Sequence, residues 1–283
     1  MKKSAGSEMS FLDHLEELRW HLIKIVIAIT AFSVIAFIFK SIVFDVVILG
    51  PSKPDFITTT WLCQFGAVIN AQMVDWNLAE LNPSILCLNA KPFRLQSITM
   101  AGQFLAHMKI AFISGVVLAF PFVIYEFWKF ISPALYQKER KHARGAVFFI
   151  SILFLLGVLF GYFVICPLSV NFLINYQVSE IAENNIKLMS YVGTVTSISF
   201  AAGVMFELPA VIYFLSKVGL VTPAFLIKYR KHAIVILLIV AAIITPPDIF
   251  SQILVCLPLI VLYEISIILS RRIENKRKKA SDI

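Results

Sequence analysis

The residue hardest to place in this 283-residue chain is Glu207, which stands near the middle of an apolar run, two residues before Pro209. A charge at such a position costs roughly 2.5 kcal/mol or more, so it should face a polar cavity or the protein interior. An intramembrane carboxylate marks a functional site by default; the bland alternative is a neutral, structural Glu207. Pro209 removes a backbone donor and is expected to bend the helix there. Two other carboxylates, Glu17 and Glu139, sit among Arg and Lys. A carboxylate can accept two parallel hydrogen bonds from a guanidinium, each charged bond contributing roughly 1.5–3 kcal/mol. Glu17 and Glu139 are therefore the available anions for a cationic ligand. No H-E-x-x-H, G-x-S-x-G or G-x-x-x-x-G-K-[ST] occurs. His14, His21, His107, His142 and His232 do not cluster with Cys or carboxylates at metal spacing. His14 and His21 share a helix face and read as a solvated or interfacial pair. Neither an enzyme nor a metal or cofactor site is expected.

The elements that must carry these carboxylates follow from composition. Hydrophobic residues make up 59% of the chain, charged residues 15%, Phe occurs 25 times, and the mean hydropathy is +0.85. That excludes a soluble globule, which needs more charge to cover its surface, as well as a disordered, collagenous or disulfide-dense chain. An all-α integral membrane protein remains. Six apolar segments run Leu22–Phe44, Ile110–Phe130, Ala146–Cys166, Thr194–Ser216, Ala233–Thr245 and Ile249–Ser270. They are continuously apolar, not alternating, which disfavours strands. Five are long enough to cross a core of about 30 Å, whereas the fifth in order covers only about 20 Å. No cleavable signal peptide is expected, since Glu8, Asp13, Glu16 and Glu17 precede the first apolar run. With the N-terminus taken as cytoplasmic, 19 of the 25 Lys and Arg fall inside. The positive-inside rule then puts both termini in the cytoplasm. The net charge of +8 reflects those basic inner segments instead of a nucleic-acid partner.

The expected organisation is one membrane domain over 1–283. It begins with an amphipathic helix over 1–21, opened at Phe11 by the Ser10-x-x-Asp13 capping box, with Phe11, Leu15, Leu18 and Leu22 as its apolar stripe. This helix lies along the interface and feeds into the first span. An outside loop over 45–109 forms a small cap, and a basic cytoplasmic tail covers 271–283. Cys63 and Cys87 face an oxidising side and either bond to each other or stay as buried thiols. Thr245-Pro246-Pro247-Asp248 ends the short fifth span below the outer surface, where polar backbone must be shielded by protein or water. A concave bundle with a kinked fourth helix follows. Gly157-x-x-x-Gly161 fits close helix packing. A possible parallel repeat relates Gly115, Pro121 and Tyr125 to Gly203, Pro209 and Tyr213 at a constant offset; coincidence is its alternative.

Four strings stand out: S-F-L-D-H-L-E-E-L-R at 10–19, F-W-K-F-I-S-P-A-L-Y-Q-K-E-R-K at 127–141, F-E-L-P at 206–209 and T-P-P-D-I-F-S-Q at 245–252. Together they resemble the TatC family, the polytopic subunit of the twin-arginine protein translocase. The resemblance implies a receptor in the bacterial cytoplasmic membrane. Such a receptor binds twin-arginine signal peptides of folded precursors, recruits TatA/TatB-type single-span proteins, self-associates in the bilayer and works with the proton-motive force. It places Glu17, Arg19, Phe130 and Glu139 at signal-recognition positions, and Pro121, Glu207 and Asp248 at other functional positions. The loop around Pro51–Arg94 is enlarged relative to the family pattern. The residues themselves agree with a ligand of paired arginines and an apolar stretch: Glu17 and Glu139 supply anions, and Phe130 an apolar surface. The other class considered is a proton- or ion-coupled secondary transporter with Glu207 as relay.

Overall fold

The structure is a computed structural model that describes residues 11–53, 55–64, 68, 94–131, 143–177, 179, 184–245 and 249–281. Nine α-helices are defined among them. They are α1 (Phe11–Ile38), α2 (Gly102–Ile131), α3 (Ala143–Phe160), α4 (Cys166–Asn175), α5 (Leu188–Phe206), α6 (Leu208–Val218), α7 (Pro223–Lys228), α8 (Arg230–Ile244) and α9 (Ile249–Ser281). A π-helical turn, Gly161–Ile165, joins α3 to α4. Helix is the form these runs must take, because it satisfies every interior backbone group within the segment.

Five helical stretches are long and apolar enough to cross a membrane, namely Leu15–Ile38, Gly102–Phe130, Val147–Asn175, Leu188–Val218 and Gln252–Lys276. The sixth apolar segment is helical too, but α8 has only 15 residues, about 22 Å at 1.5 Å per residue. The first span begins earlier than its apolar run, since α1 is one helix of 28 residues with no break at residue 21. The second also starts early, at Gly102, ahead of the apolar run that opens at Ile110. The fourth span is interrupted where expected. α5 stops at Phe206, Glu207 links it to α6, and Pro209 occupies the first turn of α6. Glu207 N–H donates to the Val204 carbonyl at 3.1 Å, a tighter bond than the α-helical one.

The chain divides into two compact units. The first comprises residues 1–39 and 111–152. Within it α1 and α2 meet through small residues. A Cβ added to Gly115 would lie 2.1 Å from Ser33 Oγ and 2.7 Å from Ser33 Cα, and Ala36 and Ala119 are buried. Pro121 lies inside α2, which continues through it.

The second unit comprises 40–110 and 153–283 and holds the main apolar core, around Ile110, Ile165, Val192, Val195, Ile198, Ala241 and Leu259. Several of its polar groups are satisfied internally. A π-helical stretch at Ser41–Ile48 leaves carbonyls without intrahelical donors. Tyr162 Oη donates to the Val47 carbonyl at 2.6 Å and Tyr191 Oη to the Ile48 carbonyl at 2.8 Å. Gln96 and Lys187 form a parallel bridge, with Gln96 N–H donating to Ile186 O at 3.0 Å and Leu188 N–H to Gln96 O at 2.9 Å. Cys63 is disulfide-bonded, whereas Cys166 and Cys256 are free and buried. Cys87 lies outside the described residues.

The Gly157–Gly161 pair does what its spacing suggests. A Cβ on Gly157 would meet Ala202 O at 2.6 Å, and one on Gly161 would meet Ser199 Cα at 2.9 Å. Gly157→Ala should therefore destabilise the purified protein by about 1–3 kcal/mol through overpacking. Gly145→Ala, with nothing within 4 Å, should leave the thermal midpoint in detergent unchanged. Equal midpoints for the two variants would contradict this packing. Non-reduced peptide mapping should recover Cys63 and Cys87 in one linked species; an alkylatable Cys87 would exclude that pairing.

Candidate functional site

Glu17 and Arg19 lie on α1, and Phe130 on the last turn of α2, all in the first unit. Glu17 is half-buried, Arg19 exposed and Phe130 half-buried. Glu139 lies outside the described residues. Residues four apart share a helix face, so Glu17 stands one turn before His21, and Phe130 one turn after Glu126. These inner members meet. His21 Nδ1 and Glu126 Oε2 share a hydrogen bond at 2.5 Å, and the two residues are 5% and 4% exposed. The His21 and Phe130 rings make an edge contact at 6.1 Å.

His21 is thus no solvated or interfacial residue, and the reading that paired it with His14 on one face is corrected for it. The partner that buries it, Glu126, went unnoticed in the sequence. Its signal was available: Glu126 is a carboxylate inside the apolar segment Ile110–Phe130, and the argument applied to Glu207 applies to it.

Glu207, in the second unit, is a half-buried carboxylate. Its Oε1 is buried and has no hydrogen-bond partner among the described residues. Pro209 beside it is fully buried, and the neighbouring Phe206 ring lies 5.5 Å from that of Phe160. Thr245 is buried, but its hydroxyl donates to the Ala241 carbonyl at 2.9 Å and so serves its own helix. Pro246, Pro247 and Asp248 lie outside the described residues. Further along the second unit, Arg230 pairs with Glu264 at 2.8 Å and Ser216 Oγ bonds Ser270 Oγ at 2.8 Å. Among the described residues no group of three or more His, Cys, Asp or Glu could hold a metal ion.

Several long apolar helices, among them those holding Glu126 and Glu207, define a multi-pass membrane protein. A family model for the Sec-independent protein translocase protein (TatC) matches residues 13–258. The chain is 39% identical, over 97% of its length and 100% of the relative's, to the Sec-independent protein translocase protein TatC of Blattabacterium sp. subsp. Periplaneta americana (strain BPLAN). It is 31% identical, over 99% of its length and 96% of the relative's, to the TatCy protein of Bacillus subtilis (strain 168). A crystal structure of the twin-arginine translocase receptor TatC in DDM superposes with a TM-score of 0.68 at 32% identity, covering 91% of this chain and 99% of that one. The chain belongs to the TatC family and is a component of a Sec-independent protein translocase.

Proposed function

We propose that the chain is the signal-peptide receptor and core subunit of a twin-arginine translocase, non-enzymatic, in a bacterial cytoplasmic membrane. The reading has six spans, with α8 as the short fifth, and both termini in the cytoplasm. The placement of 19 of 25 basic residues supports it. The ligand is the twin-arginine signal peptide of a folded precursor. Glu17 and Glu139 bind the guanidinium groups, Arg19 belongs to the same surface, and Phe130 receives the apolar stretch. The observation that carries this reading is the register of α1 and α2. The His21–Glu126 contact sets Glu17 and Phe130 one turn beyond it, giving an anion and an apolar ring on one unit.

Recruitment of TatA/TatB-type single-span proteins is assigned to the polar position at Glu207, with Thr245 and Asp248 assigned to the same role. A buried Oε1 without a described partner suits a polar side chain on an incoming helix, which would otherwise be desolvated in lipid. Pro121, Pro209, Pro246 and Pro247 are assigned structural roles. Transport draws on the proton-motive force, and copies of the chain self-associate. The same unpartnered Oε1 also favours a second reading, a proton- or ion-coupled transporter with Glu207 as relay. Solute movement by the purified chain alone in liposomes would be its mark.

Glu17→Gln or Glu139→Gln should weaken binding of a twin-arginine peptide about tenfold or more, because a neutral amide loses the charge-assisted term. Fluorescence anisotropy with labelled peptide measures it, and full affinity in the double Gln variant would defeat the assignment. Glu207→Leu should leave peptide affinity within about twofold while abolishing transport and partner-helix crosslinks. Glu207→Gln should retain part of the docking. Loss of peptide binding in the Leu variant with partner crosslinks intact would reverse the roles.

A further inference from the structure

We propose that His21 and Glu126 form the positioning floor of the peptide site, a polar lock that fixes the register of α1 against α2 and the orientation of the Phe130 ring. The inference rests on the reading of Glu17 and Phe130 as peptide-binding residues and adds two residues to it.

Three observations converge. The first is the contact itself. Its two groups are 2.5 Å apart and 4–5% exposed, on helices that also meet where Gly115 packs against Ser33. A carboxylate inside an apolar span is tolerated when it is paired, and an imidazole N–H is such a partner. The burial also rules out direct ligand contact, so the pair acts through its neighbours.

The second is register. α1 and α2 touch again where Gly115 meets Ser33. From His21 to Ser33 is 12 residues, and from Glu126 back to Gly115 is 11. At 1.5 Å per residue these are about 18 and 16.5 Å, so one antiparallel register satisfies both contacts. The two contacts differ in kind. A glycine against a serine sets how close the helices come but tolerates axial slippage. A buried hydrogen bond between two side chains does not, because a shift of one residue moves donor and acceptor about 1.5 Å apart along the axis. The His21–Glu126 end is therefore the one that sets register, and it lies one turn from Glu17 and Phe130.

The third is the ring contact. Glu126 holds Nδ1 of His21 and so fixes the plane of the imidazole. That ring meets Phe130 edge-on, with 65° between planes and 6.1 Å between centroids. The orientation of the aromatic surface offered to a ligand is thereby tied to a carboxylate one turn beneath it. Buried polar pairs contribute more to a unique arrangement than to stability, and the register of paired helices is the best-attested example.

The test is peptide binding by the full-length purified chain, read by anisotropy of a fluorescent twin-arginine signal peptide, with thermal midpoints measured in parallel. Glu126→Leu and His21→Leu should each weaken binding about tenfold. In a Phe130→Ala background Glu126→Leu should add less than about twofold, because both changes act on the same ring. The exchanged pair, His21→Glu with Glu126→His, should return affinity to within about threefold of wild type. A structural residue remote from the site would give neither the non-additivity nor the rescue. Wild-type affinity in Glu126→Leu overturns the proposal, as does a loss that multiplies fully with that of Phe130→Ala. If the single Leu variants do not fold, Glu126→Gln is used in their place, with an expected loss of about threefold that disappears in the Phe130→Ala background; a loss that persists there overturns the proposal. A wild-type chain that does not bind the peptide at all overturns the reading of the site itself. Wild-type binding with insensitive floor variants overturns the floor alone.

Discussion

Hydrocarbon supplies no hydrogen bonds, and the architecture answers to that single constraint. Every donor and acceptor held at membrane depth must find its partner within the protein. The carbonyls released by the π-helical stretch at Ser41–Ile48 find two tyrosine hydroxyls, on the helices that contain Tyr162 and Tyr191. Tyr263 Oη likewise donates to the Leu226 carbonyl at 2.9 Å. The serines at 216 and 270 bond each other, and Thr196 returns its hydroxyl to the Val192 carbonyl of its own helix. The hydroxyls of Ser33 and Ser169 are buried without a described partner as well, but Glu207 Oε1 is the carboxylate oxygen among such atoms, and the proposed docking role draws on that difference in kind.

The spans were legible because a continuous apolar run of about 20 residues has one stable form in a bilayer. Their ends were less so. Hydropathy marks where a segment stops being greasy, whereas a helix stops where its backbone bonds run out. α2 therefore carries Gln103, His107 and Lys109 ahead of the apolar run, and α5 begins at Leu188 although its greasy stretch begins at Thr194. The interruption at Glu207 was readable because proline chemistry is local. The close approach at Gly157 and Gly161 was readable for the same reason. The π-helical turns left no mark in residue spacing. The His21–Glu126 pair was missed because its members stand 105 positions apart and are joined only by the fold.

The suspected repeat has a mixed outcome that is informative. Gly115 and Gly203 both sit at closest approaches: Gly115 against Ser33, and Gly203 with a would-be Cβ 2.6 Å from Val158 Cγ2. The prolines six residues later behave differently. α2 runs on through Pro121, while the corresponding helix is broken just before Pro209. The residue corresponding to Glu207 is Ala119, which has no exposure at all. A methyl group there closes the helix pair, and a carboxylate at the matching place in the other pair comes with a broken helix.

The tyrosine caps on the first π-helical stretch also carry a consequence for synthesis. The Val47 and Ile48 carbonyls lie 115 and 143 positions ahead of the hydroxyls that bond them. At roughly 5–20 residues per second, the ribosome needs on the order of ten seconds to supply those donors. During that interval these two carbonyls, which lie past the end of the first span at Ile38, cannot be desolvated without being left bare. Water must occupy the tyrosines' place, so this end of the nascent chain stays at an aqueous boundary until the later helices arrive.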